Sequence, residues 1–201
     1  MSFRIEQKFK IDFRQVDKFY TWLNLNNFKV IYTPRFINSV YFDNQDFSSY
    51  KDSEEGVTPR KKIRIRTYNK NFFSGKDYYF EEKINSIEGR FKKSKKVNDI
   101  KKIFQRGIHD NFYGLIFPKV NIVYTREYFI KNNLRITVDK NIKNYLINEI
   151  KQKANLFDVN DVVMEIKTNK NYADFHELKN LTFQNTRFSK YNNALKFMFN
   201  Q

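Results

Sequence analysis

Polar and apolar positions alternate with period two over several short runs, the signature of strands whose two faces differ chemically. From Phe3 to Lys10, one parity holds Phe3, Ile5, Gln7 and Phe9, the other Arg4, Glu6, Lys8 and Lys10. Lys61 to Tyr68 sets Ile63, Ile65 and Thr67 against Lys62, Arg64, Arg66 and Tyr68. Tyr78 to Ile84 places Tyr79, Glu81 and Lys83 opposite Tyr78, Phe80, Glu82 and Ile84, and Ser39 to Asp43 is a further short run rich in Val, Tyr and Phe. Val120 to Ile130 carries Ile122, Tyr124, Arg126 and Tyr128 on one side, and Leu134 to Asp139 alternates Arg135, Thr137 and Asp139 with Leu134, Ile136 and Val138. These two predict a hairpin around Lys131-Asn132-Asn133. Val162 to Lys167 separates Val163, Glu165 and Lys167 from Val162, Met164 and Ile166. Helical spacing shows in Arg14 to Leu25, through Val16, Phe19, Tyr20 and Leu23, and predicts further helices over Val97 to Phe104 and Tyr191 to Phe199, the last packing Leu195, Met198 and Phe199. The plan is α+β, a mostly antiparallel sheet with helices packed outside.

A half-exposed antiparallel sheet alternates in the same way, because one face packs and the other meets water. Here, however, at least four runs carry Arg or Lys at one parity with Glu beside them, where a merely solvated face also draws on Thr, Ser and Gln. If about eight strands close into a barrel, their inward faces converge on one lumen. A lumen of Arg and Lys loses solvation and repels itself, so it makes sense only with an anion inside. The planar guanidinium donates paired hydrogen bonds to phosphate oxygens and the ammonium acts as a point charge, while a few Glu among them suit the divalent cation that accompanies phosphates.

Charge sharpens this picture. With 38 Lys and Arg against 22 Asp and Glu, the net charge is +16, which attracts nucleic acid, anionic lipid or polyphosphate at long range. The 22 Phe and 13 Tyr among 201 residues are too many for a disordered chain and predict one domain over residues 1–201. The absence of cysteine excludes a disulfide framework, a thiolate metal site and a cysteine nucleophile. Met1 to Lys8 has charges throughout and reads as neither signal peptide nor membrane anchor, so a cytoplasmic protein without a transmembrane segment is expected. Neither a Gly-x-x-Gly loop nor an aromatic RNA-binding signature is present, and no specific nucleic-acid partner is expected.

The order of these motifs resembles the VTC-type polyphosphate polymerase domains of the CYTH, or triphosphate tunnel metalloenzyme, superfamily. The landmarks are Arg4-x-Glu6-x-Lys8, Ser39-x-Tyr41-Phe42-Asp43, Lys62-x-Arg64-x-Arg66-x-Tyr68, Glu81-x-Lys83, Tyr124-x-Arg126, Arg135-x-Thr137-x-Asp139, Glu165-x-Lys167 and Ser189-Lys190-Tyr191. The resemblance covers nearly the whole chain. It implies a closed antiparallel β-barrel tunnel in which Lys8, Arg64, Arg66, Lys83, Arg126 and Lys190 are catalytic. Arg4, Lys62, Lys92, Lys93, Arg135, Lys167, Ser189 and Tyr124 would then bind phosphate, with Glu165 and Glu6 on a Mn2+ or Mg2+ ion. The implied reaction moves the terminal phosphoryl group of a nucleoside triphosphate onto a growing polyphosphate chain. Arg4 stands where hydrolytic relatives carry a first Glu, which favours the polymerase over a triphosphatase or polyphosphatase; a non-catalytic polyphosphate-binding module is the further alternative.

The chain departs from the pattern in two places. A Lys-Lys-Arg run expected after the Glu-x-Lys strand is replaced by Arg90-Phe91-Lys92-Lys93-Ser94, and Thr168 to Leu178 lacks an expected proline near a helix start. The phosphate-sensing and transmembrane domains of eukaryotic versions are not in this sequence, so any membrane link would run through a partner protein. His109 and His176 read as surface imidazoles, Tyr41 and Phe42 as core, and Asp43 as a strand-end residue. The lysines at 92, 93, 95 and 96 read as a solvated face that could guide a polyanion.

Overall fold

The computed structural model describes residues 5–148, 151–159, 162–168, 178 and 183–199. In chain order these form β1 (Ile5–Ile11), α1 (Val16–Leu25), β2 (Lys29–Asp43), α2 (Ser48–Glu55), β3 (Arg60–Thr67), β4 (Tyr78–Ser86), β5 (Gly89–Val97), α3 (Ile100–Arg106), β6 (Ile108–Asp110), β7 (Gly114–Lys131), β8 (Leu134–Asn148), β9 (Lys151–Val159), β10 (Val162–Thr168) and α4 (Lys190–Phe199). The strands make one sheet in the order β1-β10-β8-β7-β2-β3-β4-β5, with β6 on β7 and β9 on β8. The pairings with a described register are antiparallel, as an α+β plan requires.

The chain divides into two compact units. The first comprises Met1–Arg35, Tyr124–Ile142 and Val159–Phe188. Register fixes its two faces: Gln7 pairs with Ile166 and Phe9 with Met164 on one parity, Glu6 with Lys167 and Lys8 with Glu165 on the other. Ile166 and Met164 in turn pair with Ile136 and Val138. The apolar parity packs under α1, whose Phe19, Trp22 and Leu23 join Phe9, Ile11, Ile136, Val138, Phe129 and Phe183 in one core. Asn27, at φ 59, takes the left-handed conformation that ends α1, and the Phe28 N–H returns to the Leu23 carbonyl at 3.1 Å.

The second unit comprises Phe36–Val123, Lys143–Asp158 and Ser189–Gln201. Its core joins Val40 and Phe42 of β2, Ile63 and Ile65 of β3 and Tyr78 of β4 to Ile100 and Phe104 of α3. Helix α2 is polar and was not expected from the pattern. It forms because the buried Asp43 carboxylate accepts from the N–H groups of Ser49 and Tyr50, each at 3.0 Å, filling the donors that a helix start leaves open. Strand β5 was read only as a lysine run, and β6 and β9 were not expected. The expected helix from Val97 begins at Ile100.

One expectation is overturned. The sheet is not closed into a barrel: its order ends at β1 and β5, and among the described residues those two do not pair. The free side of β1 is met by a non-strand segment, through the Phe9–Asn185 bridge and the Thr186 N–H donating to the Lys8 carbonyl at 2.8 Å. The free side belonging to β5 carries exposed Lys92, Lys93, Lys95 and Lys96, and a row of lysines on an edge strand discourages addition of another strand. Arg4, His176, the Met198 side chain and all of the Thr168 to Leu178 segment except its two end residues lie outside the described residues.

Candidate functional site

In the second unit, register gathers one parity of four strands on a single face. Tyr41 pairs with Arg64, and Arg64 with Glu81; Ser39 pairs with Arg66, and Arg66 with Tyr79. A third row is entirely cationic: Lys62 opposite Lys83 opposite Lys92. Like charges directly across a sheet destabilise it, so this row costs stability that a polyanion would restore.

Glu81 is the hub of the face. It is 4% exposed, with Arg64 at 7% and Arg66 at 6%. Arg64 Nε donates to Glu81 Oε2 at 2.7 Å, and its Nη1 donates to the Tyr41 hydroxyl at 2.8 Å. Arg66 Nη1 stands 3.7 Å from the same Oε2, and its Nε donates to Ser39 Oγ at 3.3 Å. Lys92 Nζ donates to Glu81 Oε1 at 2.6 Å. Burial alone pushes the carboxyl pKa up, but the charges of Arg64, Arg66 and Lys92 outweigh it and hold the group at about 2. One buried carboxylate therefore answers three cations.

Lys62 Nζ donates to Ser189 Oγ at 2.8 Å and also to Asn192 Oδ1. Ser189 itself caps α4, accepting from the Asn192 N–H at 3.3 Å, so the hydroxyl orders backbone and a lysine together. Lys190 opens the same helix, half-buried. Tyr41 is buried, as the core reading expected, and there stacks on Tyr191 at 5.2 Å and carries the Arg64 guanidinium over its ring at 5.7 Å. Asp43 accepts from the Tyr191 hydroxyl at 2.6 Å, which together with its helix cap makes it a structural anchor and fits the strand-end reading. Of the two lysines expected to bind phosphate, Lys92 is beside Glu81, whereas Lys93 pairs with Glu82 on the opposite parity.

The first unit carries its own charged face. Across β1, β10 and β8 run the rows Glu6, Lys167, Arg135 and Lys8, Glu165, Thr137. Lys167 Nζ lies 2.6 Å from Glu165 Oε1 and 3.9 Å from Glu6 Oε2, while Lys8 Nζ lies 3.5 Å from Glu6 Oε1 and donates to the Phe188 carbonyl at 3.1 Å. Burial raises the Glu165 pKa, but Lys167, Lys8 and Arg126 pull it well below the usual carboxylate range. The Lys167 contact is an ion pair without hydrogen-bond alignment. Glu165 Oε1 and Thr137 Oγ1, cross-strand neighbours, thus remain buried with no hydrogen-bond partner. Arg126 grips the buried Asp139 with two hydrogen bonds, at 2.5 and 2.7 Å, and lies 5.3 Å from the Tyr124 ring centroid. Sequence reading named neither Glu81 nor Asp139 as site residues. Both stand in quoted motifs, but only register shows which cations they meet.

Among the described residues no group of three or more His, Cys, Asp and Glu is arranged for a metal. Two carboxylates do converge, since Glu165 and Glu6 both face the Lys167 ammonium, at 2.6 and 3.9 Å. That fits a Mg2+-like ion, which takes one or two carboxylates and completes its shell with water and substrate phosphates. His109 is exposed on β6. No described helix is long and apolar enough to cross a membrane.

Comparison with known proteins adds the following. The model of the VTC domain matches residues 3–111 and 108–199. No curated protein matches the chain. Among solved structures, a protein of Bacillus halodurans described as a candidate adenylate cyclase aligns with 14% identity over 99% of this chain and 100% of its own, at a TM-score of 0.60. A candidate adenylyl cyclase from Hippeastrum, described as having a dominant triphosphatase activity, aligns with 11% identity over 96% of each chain, at a TM-score of 0.56. A conserved hypothetical protein of Pyrococcus furiosus aligns with 18% identity over 94% of this chain and 99% of its own, at 0.54. At such identities the likeness establishes the fold.

Proposed function

Because the chain belongs to the VTC domain family, we propose that it binds the triphosphate of a nucleotide and transfers its terminal phosphoryl group to a growing polyphosphate chain. The observation that carries this reading is the all-lysine row Lys62, Lys83 and Lys92 beside a buried Glu81 outnumbered by Arg64, Arg66 and Lys92. Such a face is matched by a ligand with several negative oxygens at close spacing, which a polyphosphate is. Phosphoryl transfer needs little covalent help from a protein, only positioning and charge neutralisation.

In this reading Arg64 and Arg66 orient phosphate oxygens through their planar donors, and Lys62, Lys83 and Lys92 neutralise charge along the chain. Arg64 is the best prepared, because Glu81 and Tyr41 fix its plane before the ligand arrives. Lys8, Lys167 and Arg135 act likewise on the face of the first unit, and Glu165 and Glu6 are the residues to hold Mn2+ or Mg2+. When bound, the divalent ion supplies further neutralisation at phosphate oxygens. Lys190, Arg126, Tyr124 and Ser189 serve as supporting groups; Arg126 is committed to Asp139 and holds the strand pair β7–β8 in place.

Hydrolysis of triphosphate is a second reading. The convergence of Glu6 and Glu165 on the Lys167 ammonium favours it, since two carboxylates on one metal also suit delivery of water to a phosphate. Incubation of the pure protein with ATP and Mn2+, with products resolved on a gel stained for polyphosphate, separates the two. Long chains that vanish in an Arg64→Ala, Arg66→Ala variant support the polymerase, orthophosphate alone supports the hydrolase, and no turnover with retained triphosphate binding supports a binding module.

A further inference from the structure

The first unit carries two exposed planes that the phosphate reading does not use, those of Tyr32 and Arg35, backed by the buried Tyr128. Arg35, on β2, places its guanidinium 5.1 Å from the Tyr32 ring centroid and 5.6 Å from that of Tyr128. The two rings meet edge to face, with centroids 5.6 Å apart and planes at 85°. Arg135 also stands 5.6 Å from the Tyr128 centroid. Tyr32 is 46% exposed and its neighbour in parity, Val30, is 68% exposed, an unusual allocation of apolar area on an open strand. Both arginines are exposed, and among the described residues neither has a carboxylate partner.

An arginine whose plane lies on tyrosine rings, with no acid to satisfy, presents a flat, weakly hydrated cationic surface, and such surfaces stack on heteroaromatic rings. Its location ties it to the charged face. Arg135 pairs in register with Lys167, which contacts Glu165 and Glu6, so the stack begins one strand position from groups suited to phosphate. A phosphate alone would use the edges of these guanidiniums and leave the exposed Tyr32 face idle.

We propose that Tyr32 and Arg35, backed by the buried Tyr128, form a stacking subsite for the base of a nucleotide whose phosphates lie toward Arg135 and Lys167. This rests on the triphosphate reading and deepens it, because it gives the protein a means to prefer a nucleoside triphosphate over inorganic triphosphate. Tyr32 and Arg35 are exposed, so substituting either should leave the fold intact, which thermal melting verifies.

The test is calorimetric titration, with Mg2+ present, of the non-hydrolysable β,γ-imido analogue of ATP and of inorganic imidotriphosphate against wild type, Tyr32→Ala and Arg35→Lys. Stacking at an exposed site corresponds to a loss of about fivefold in affinity. The expected result is that loss for the nucleotide in both variants, with imidotriphosphate affinity held within about twofold. Arg35→Lys retains the charge, so a purely electrostatic role would leave both ligands unchanged. Equal weakening of the two ligands, or no change in either, overturns the subsite alone. Wild-type protein that binds neither ligand overturns the triphosphate reading and the subsite with it.

Discussion

Glu81 shows how a single buried side chain holds three cations on one face. Its carboxyl sits at about 2 in the folded protein against an ordinary 4.5, because three cations surround it. The unfolded chain therefore binds more protons between those values. The resulting stabilisation is full above about 4.5 and disappears as the pH falls towards 2. Glu81→Gln should remove about 2–3 kcal/mol at pH 7 and flatten stability between pH 5 and 3, as followed by denaturant unfolding at several pH values. The variant also leaves Arg64, Arg66 and Lys92 without their carboxylate. Inorganic tripolyphosphate should accordingly raise its melting temperature more than that of wild type, and an equal rise in both would contradict a cationic phosphate site.

At the scale of elements, strand parity decides which lysines matter. Lys92 and Lys93 are adjacent in sequence but point to opposite faces of β5: Lys92 to Glu81, Lys93 into register with Glu82. Lys95 shares the parity of Lys93 and lies 5.2 Å from the Phe80 ring. Lys92→Gln should weaken tripolyphosphate binding about three- to fivefold, the modest effect expected of a half-exposed ammonium, while Lys93→Gln and Lys95→Gln should change it by less than about twofold. Fluorescence or calorimetric titration of the three variants measures this directly. Comparable losses in all three would mean that the lysine run acts as a diffuse charge rather than through one face.

For the whole molecule, the net charge of +16 adds long-range attraction to the local contacts. Salt should therefore lower tripolyphosphate affinity on the order of tenfold between about 0.05 and 0.5 M, mainly through a slower association rate, because the Debye length shrinks from roughly 14 to 4 Å. Stopped-flow binding at several salt concentrations distinguishes this from a contact-only site, whose affinity would hardly change.

Sequence alone determined the strands around each charged motif, the hairpin at Lys131-Asn132-Asn133 and the family resemblance, because period-two alternation and motif order are local properties of the chain. It also determined that charged residues share a parity in several of these runs, so one face of those strands had to be charged. What it could not determine was which cation meets which anion: that Glu81 serves Arg64, Arg66 and Lys92, or that Asp139 holds Arg126, depends on register between strands. Helix α2 was illegible for the same reason, since its start is fixed by Asp43 from outside the helix. Closure is the plainest case. Alternation permits either a barrel or an open sheet, and the choice is made by what meets the two edges, Asn185 and Thr186 at β1 and a lysine-rich β5 at the other end. Edge pairing is a property of the assembled sheet, and so only the tertiary structure could decide it.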